Sequence, residues 1–187
     1  MKKISLSILT LLVFTVVAMA PMASKYVSTK THIKFFSTTP LEDIQANNYA
    51  SVSTLDTSTG DIVFSVPMQS FEFEKALMQE HYNGKNFLNT KKYPKAKLTA
   101  KITNLSAIDF SKDGSYEATV TGEMTIKEES KPISEKGTIT VAGGNITINT
   151  TFNLTLSDYK IVFKKGKPSS NIAKTIAVTA IAEYNKQ

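Results

Sequence analysis

From about residue 30 onward, apolar and polar side chains alternate along this chain with a period of two, the pattern of half-buried β-strands. Ile62, Phe64 and Val66 share one face of a strand that stops at Pro67, and Leu98, Ala100 and Ile102 repeat the pattern. Tyr116, Ala118, Val120, Gly122, Met124 and Ile126 carry it over a long strand that starts just after the Asp113-Gly114 turn. Ile139 and Val141 mark another strand, followed across Gly143-Gly144-Asn145 by Ile146, Ile148, Thr150, Phe152, Leu154 and Leu156. Adjacent glycines are a short-hairpin signal, because such turns need positive φ. Ile176, Val178, Ala180 and Ala182 form a last strand, preceded by a loop at Lys164-Lys165-Gly166-Lys167-Pro168-Ser169-Ser170.

The period changes between Phe71 and Tyr82. Phe73, Ala76, Leu77 and His81 recur at helical spacing. Ser70 is the expected N-cap, Glu72 and Glu74 fall in the first turn where the helix dipole favours acids, and Gly84 is the expected stop. Many antiparallel strands with one short helix are compatible with a sandwich or a barrel. Long strands joined by tight hairpins favour closure, which removes exposed edges. The expected fold is therefore all-β, a closed antiparallel barrel of about eight strands with one short helix plugging or flanking the sheet.

The N-terminus adds a compartment. Lys2 and Lys3 precede an almost unbroken apolar run from Ile4 to Val17, followed by small residues at Ala18, Ala20, Ala23 and Ser24. That order reads as a secretory signal peptide over residues 1–23, cut somewhere between 18 and 23. Residues 24–187 then form one domain, and the expected location is periplasmic or secreted. The chain has no cysteine, so neither disulfides nor thiol chemistry contribute.

Charge narrows the partners further. The net charge is +6, and all 22 basic residues are lysines. Nucleic-acid surfaces rely on arginine for bidentate contacts, so no nucleic-acid partner is expected. Spread lysines fit a solvated surface, with a weak attraction to anionic lipid head groups and transient contact with a membrane surface. Candidate chemistry is sparse: His32 and His81 are the only histidines, and no pair shows metal-ligand spacing. There is no phosphate-binding glycine loop and no G-x-S-x-G elbow. The reading is a protein with no catalytic residues, no metal and no cofactor.

An eight-stranded barrel is just wide enough for either a packed core or one ligand cavity. The alternating positions mix bulky Phe and Ile with small Ala, Gly and Thr, and the pattern leaves both interiors open.

Several motifs then bring a family into view. The stretch Phe71-Glu72-Phe73-Glu74-Lys75-Ala76-Leu77-Met78-Gln79-Glu80-His81-Tyr82, followed by Asn86-Phe87-Leu88 and Lys92-Tyr93-Pro94, resembles the YceI-like family. Val120-Thr121-Gly122-Glu123-Met124-Thr125-Ile126 is similar to its "v-x-G-x-L-T-I" strand, and Lys131-Pro132-Ile133 to the "t-K-P-V" that follows. His32-Ile33-Lys34-Phe35 matches its opening strand in style. Two segments depart from it: Lys127-Glu128-Glu129-Ser130 replaces a usual His-Gly turn, and Thr38–Asn48 lacks the usual run rich in phenylalanine and glycine.

The resemblance implies a lipocalin-like barrel, periplasmic or secreted, holding an apolar lipid such as a polyisoprenoid. It implies cavity or mouth positions at Phe64, Phe73, Leu77, Phe87, Tyr93, Leu98, Tyr116, Val120, Met124 and Phe152, with His81 fixing a polar head group or capping the helix. The competing expectation is a structural or envelope-stress interaction module with a filled core and no ligand.

Overall fold

Strand faces follow the alternation. In the long strand that begins at Gly114, Ala118 and Ile126 are buried while Ser115, Glu117 and Glu123 point to solvent. The computed structural model describes residues 24–162 and 171–185, so the expected signal peptide and the loop at Lys164–Ser170 lie outside the described residues. Within them the order is β1 (Lys25–Val27), β2 (Lys30–Thr38), β3 (Asp43–Asn48), β4 (Val52–Asp56), β5 (Asp61–Pro67), β6 (Glu72–Phe73), α1 (Ala76–Asn83), β7 (Lys95–Ile102), β8 (Gly114–Ile126), β9 (Glu129–Ala142), β10 (Asn145–Thr155) and β11 (Thr175–Tyr184).

All the strands join one antiparallel sheet in the order β1-β4-β5-β7-β8-β9-β10-β11-β2-β3-β6. The closed barrel of about eight strands expected from the sequence is not what forms. The sheet has eleven strands, curls through 286° and leaves its margins 23 Å apart, an open half-barrel. The margins are too short to seal it: β1 pairs with β4 over three residues, and β6 meets β3 only through Phe73↔Ala46 and Glu72↔Asn47. After β6 the chain turns into α1 instead of adding another strand.

The strand count was low because four strands carry little alternation. β1 and β6 are three and two residues long, β3 reads Asp-Ile-Gln-Ala-Asn-Asn, and β4 reads Val-Ser-Thr-Leu-Asp. The hairpin at Gly143-Gly144 is present, with φ of 56° and 80°, and Asp113 Oδ1 accepts the Gly143 N–H at 3.0 Å.

The helix begins later than its spacing implied. Met68–Ser70 form a 3-10 turn, Glu72 and Phe73 are in a strand, and Lys75 occupies the N-cap without a side-chain capping bond to the helix. Ser70 is therefore no cap, and Glu72 and Glu74 precede the helix. Pairing of Phe73 with Ala46 won over the helical periodicity. Gly84 does end α1, but in an extended conformation with φ −66°, its N–H bonded to His81 O.

Away from α1 the concave face is packed solid. Phe64, Ile102, Ile139 and Ile146 are buried there, with Leu98 and Val120 partly buried against them. Toward the α1 end the packing opens.

Candidate functional site

Helix α1 lies over a cavity of about 520 Å³ at that end. Ile33, Phe35 and Ser37 project into it from β2, because a period of two puts all three on one face. Met124 and Ile126 of β8 and Phe152 and Leu154 of β10 supply the facing wall, and Leu77, Met78, His81 and Tyr82 form the cover. Tyr82 is buried in an aromatic group: its ring centre is 5.0 Å from Phe73, 5.7 Å from Phe71 and 5.9 Å from Phe35. Burial pushes its phenol well above the ordinary tyrosine range.

Polar groups gather at the rim. Thr39 organises the β2–β3 turn: its Oγ1 accepts the Glu42 N–H at 3.2 Å and its N–H bonds back to Glu42 O at 3.2 Å. The Glu42 carboxylate so placed takes Lys75 Nζ on Oε1 at 2.8 Å and Asn171 Nδ2 on Oε2 at 2.8 Å. One side chain thus clasps the β2–β3 turn, the start of α1 and the lead-in to β11. The Lys75 hydrogen bond, then that of Asn171, holds the Glu42 carboxyl below its ordinary pKa. Leu77 lines the cavity yet is 62 % exposed, which puts it at the mouth.

A second set of bonds fixes the helix exit. Lys127, at φ 59° in the β8–β9 turn, donates through Nζ to Phe87 O at 3.2 Å and Lys160 O at 3.3 Å. Glu128 pairs with Lys92 at 3.0 Å, and Glu129 with Lys160. The segment Lys127-Glu128-Glu129-Ser130, where the sequence departs from its resemblance, therefore anchors the loop carrying Phe87 against the cavity.

The positions singled out by sequence divide in two. Phe73, Leu77, His81, Phe87, Met124 and Phe152 come together around the cavity. Phe64, Leu98 and Val120 lie in the packed part of the core, outside the lining. Tyr116 donates its hydroxyl to Lys112 O at 2.9 Å, and the Tyr93 ring sits 4.7 Å from Lys92 Nζ, both also outside the lining. His32 is on the opposite face of β2, bonded to Asn47 Oδ1 at 2.9 Å and stacked on Tyr49 at 4.6 Å. The two histidines thus never share a pocket. Among the described residues there is no group of three His, Cys, Asp or Glu able to hold a metal.

Sequence reasoning missed the β2–β3 wall, Tyr82 and the Glu42 rim. The alternation of Ile33, Phe35 and Ser37 was a usable signal for the wall. Nothing local marks Glu42, whose partners are 33 and 129 residues away.

Known structures share this architecture. A polyisoprenoid binding domain from Saccharophagus degradans, implicated in plant cell wall breakdown, superposes with a TM-score of 0.73 at 10% identity, covering 88% of this chain and 99% of that one. BcnA of Burkholderia cenocepacia gives 0.67 at 16% identity, over 82% of this chain and 95% of its own. A Campylobacter jejuni YceI protein gives 0.58 at 20% identity with both chains fully covered. At such identities the likeness establishes the fold alone. No curated protein matches the chain. The family model described as YceI-like domain matches residues 19–184, nearly all of the sequence, and the chain belongs to the YceI-like family.

Proposed function

We propose that this protein is an exported carrier that holds a long apolar lipid, of isoprenoid or other kind, in the cavity beneath α1. The observation that carries the reading is the cavity itself: about 520 Å³, walled mainly by Ile, Leu, Met and Phe side chains, with polar groups confined mostly to one rim. Ligand sites commonly have about 300–1,000 Å³ and this mixture of apolar wall and few polar groups. Each buried CH₂ of a guest contributes about 0.8 kcal/mol. Phe73, Leu77, Phe87, Met124 and Phe152 would contact the chain, and His81 with Lys75 would meet a polar end at the mouth.

Membership of the YceI-like family, whose members are binding and carrier proteins and not enzymes, supports this reading. So does the polyisoprenoid binding domain among the structural relatives. Leu41, beside Glu42 and 65 % exposed, and Leu77 give the rim an apolar margin suited to taking lipid from a membrane surface. The sequence of residues 1–23 supports export.

Lipid extraction and mass spectrometry of protein purified from the exported fraction test the proposal. A long-chain apolar lipid in near-stoichiometric amount is expected. Recovery of none, together with failure of the delipidated protein to bind a fluorescent apolar probe, would overturn it and leave the filled-core module.

A further inference from the structure

Among the described residues, buried side-chain polar atoms find partners with one exception. Ser53 Oγ meets Tyr184 Oη, Thr90 Oγ1 donates to Asn83 Oδ1 at 2.7 Å, and Asn48 Nδ2 donates to Pro67 O at 2.8 Å. Among the described residues, Tyr82 Oη is the one buried side-chain oxygen or nitrogen with no hydrogen-bond partner. It is also a residue of the cavity wall, only 6 % exposed. Its nearest ring neighbours, Phe35, Phe71 and Phe73, have nothing to accept a hydroxyl proton. A phenylalanine would fill the same aromatic group without burying an unpaired donor, which folded proteins avoid.

We propose that Tyr82 is a hydrogen-bond donor for the bound lipid, so that the ligand carries an uncharged acceptor oxygen, a carbonyl, ether or hydroxyl, within its buried part. This rests on the carrier reading above. The phenol is suited to a neutral partner, since burial keeps it protonated far into the alkaline range. The aromatic group around it shields the phenol from water, so a guest oxygen would reach it only by displacing part of that packing. Recognition would then combine apolar burial, which tolerates many chains, with one directional contact, which selects those bearing oxygen at the right depth.

The test compares octadecane with octadecanones bearing the carbonyl at carbon 2, 6 or 9, using the delipidated full-length mature chain. Each competes with a fluorescent apolar probe for the wild type and for Tyr82→Phe. At least one ketone is expected to lose about fivefold in affinity on Tyr82→Phe, the worth of a neutral hydrogen bond, while octadecane is unchanged. In the wild-type complex the carbonyl stretch of that ketone, ¹³C-labelled, should fall to lower wavenumber, a shift absent from the Tyr82→Phe complex. A variant that does not fold leaves the wild-type infrared shift to decide. Ketones that bind both proteins equally and show no carbonyl shift overturn the role of Tyr82 while the carrier reading stands. A buried water as the sole partner of Tyr82 Oη in the ketone complex does the same. If neither octadecane nor any ketone displaces the probe, the carrier reading itself fails.

Discussion

Tyr184 Oη and Ser53 Oγ, 131 residues apart in sequence, meet at 2.5 Å in the interior of the protein. Both residues are 0% exposed. The bond ties the end of β11 to β4, beside the point where Ser28 N–H bonds to Ser53 O and Thr29 N–H to Glu183 O. This seam links the two sides of a sheet that does not close through strand pairing. Ser53→Ala would strand the Tyr184 hydroxyl in the core and is expected to cost about 1–3 kcal/mol. Tyr184→Phe should cost less, and the double variant should be no worse than the worse single. Urea denaturation of the four proteins measures the coupling; strictly additive losses would show that the bond contributes nothing.

Alkaline pH probes the same residue. Burial, partly offset by the Ser53 hydrogen bond, pushes the Tyr184 phenol up to about 12. A raised folded-state pKa means its stabilisation is whole below the unfolded phenol's value near 10 and is lost as pH rises through about 12. Two units correspond to a loss on the order of 2–3 kcal/mol. Tyr82 and Tyr159 shift the same way through burial and add to the slope. Urea midpoints between about pH 9 and pH 12 should fall steeply in the wild type and less steeply in Tyr184→Phe.

Gly122 permits β7 and β8 to pair closely. A Cβ there would lie 2.3 Å from Thr99 O and 2.4 Å from Ala100 Cα, and both are backbone atoms. Gly122→Ala is expected to destabilise by about 1–3 kcal/mol through forced separation of the strands. Gly143→Ala makes a useful contrast. Its Cβ meets nothing within 4 Å, but φ of 56° disfavours any side chain, at about 1 kcal/mol. Thermal melts that rank the two variants the other way would refute the packing account.

The sequence made the long strands legible because β8, β10 and β11 alternate over ten or more residues. Short strands with polar residues on both faces, such as Asp43–Asn48, carry no such signal, so the sheet's margins and hence its openness stayed hidden. The cavity was half legible. Phe73, Leu77, His81, Phe87 and Met124 lie in the motifs around the helix and in β8, and Phe152 in the alternation of β10. Alternation cannot say which inward positions pack against one another, as Phe64 and Leu98 do across a directly paired register, and which face free space. That distinction depends on where α1 lies, a tertiary fact. The Glu42 clasp unites three segments distant in sequence, and a single chain gives no means of pairing them.

Filling the cavity should separate binding from folding. Ala96 lines it from β7 and is nearly buried. Ala96→Leu places three more carbons in the space a lipid would occupy, displacing guest methylenes worth about 0.8 kcal/mol each. Apolar-probe affinity is expected to fall by about tenfold or more, while the melting temperature of the lipid-free protein holds or rises. Unchanged probe titrations in a folded variant would place the guest elsewhere.

The rim clasp predicts a kinetic effect in place of an affinity effect. Glu42 holds Lys75 and Asn171, and release of the carboxylate frees the start of α1 from the β2–β3 turn. Its depressed pKa keeps the clasp charged above the ordinary carboxylate range and loses it as pH falls through the lowered value. Glu42→Gln should therefore speed dissociation of a bound apolar probe at neutral pH, by less than about tenfold because Lys75 is largely exposed. Equilibrium affinity should change little, since the apolar wall is untouched. In stopped-flow release, the wild type should accelerate on acidification toward the Glu42→Gln rate, and the variant should show little pH response of its own. Equal rates at neutral pH would mean that lipid leaves by a route the clasp does not guard.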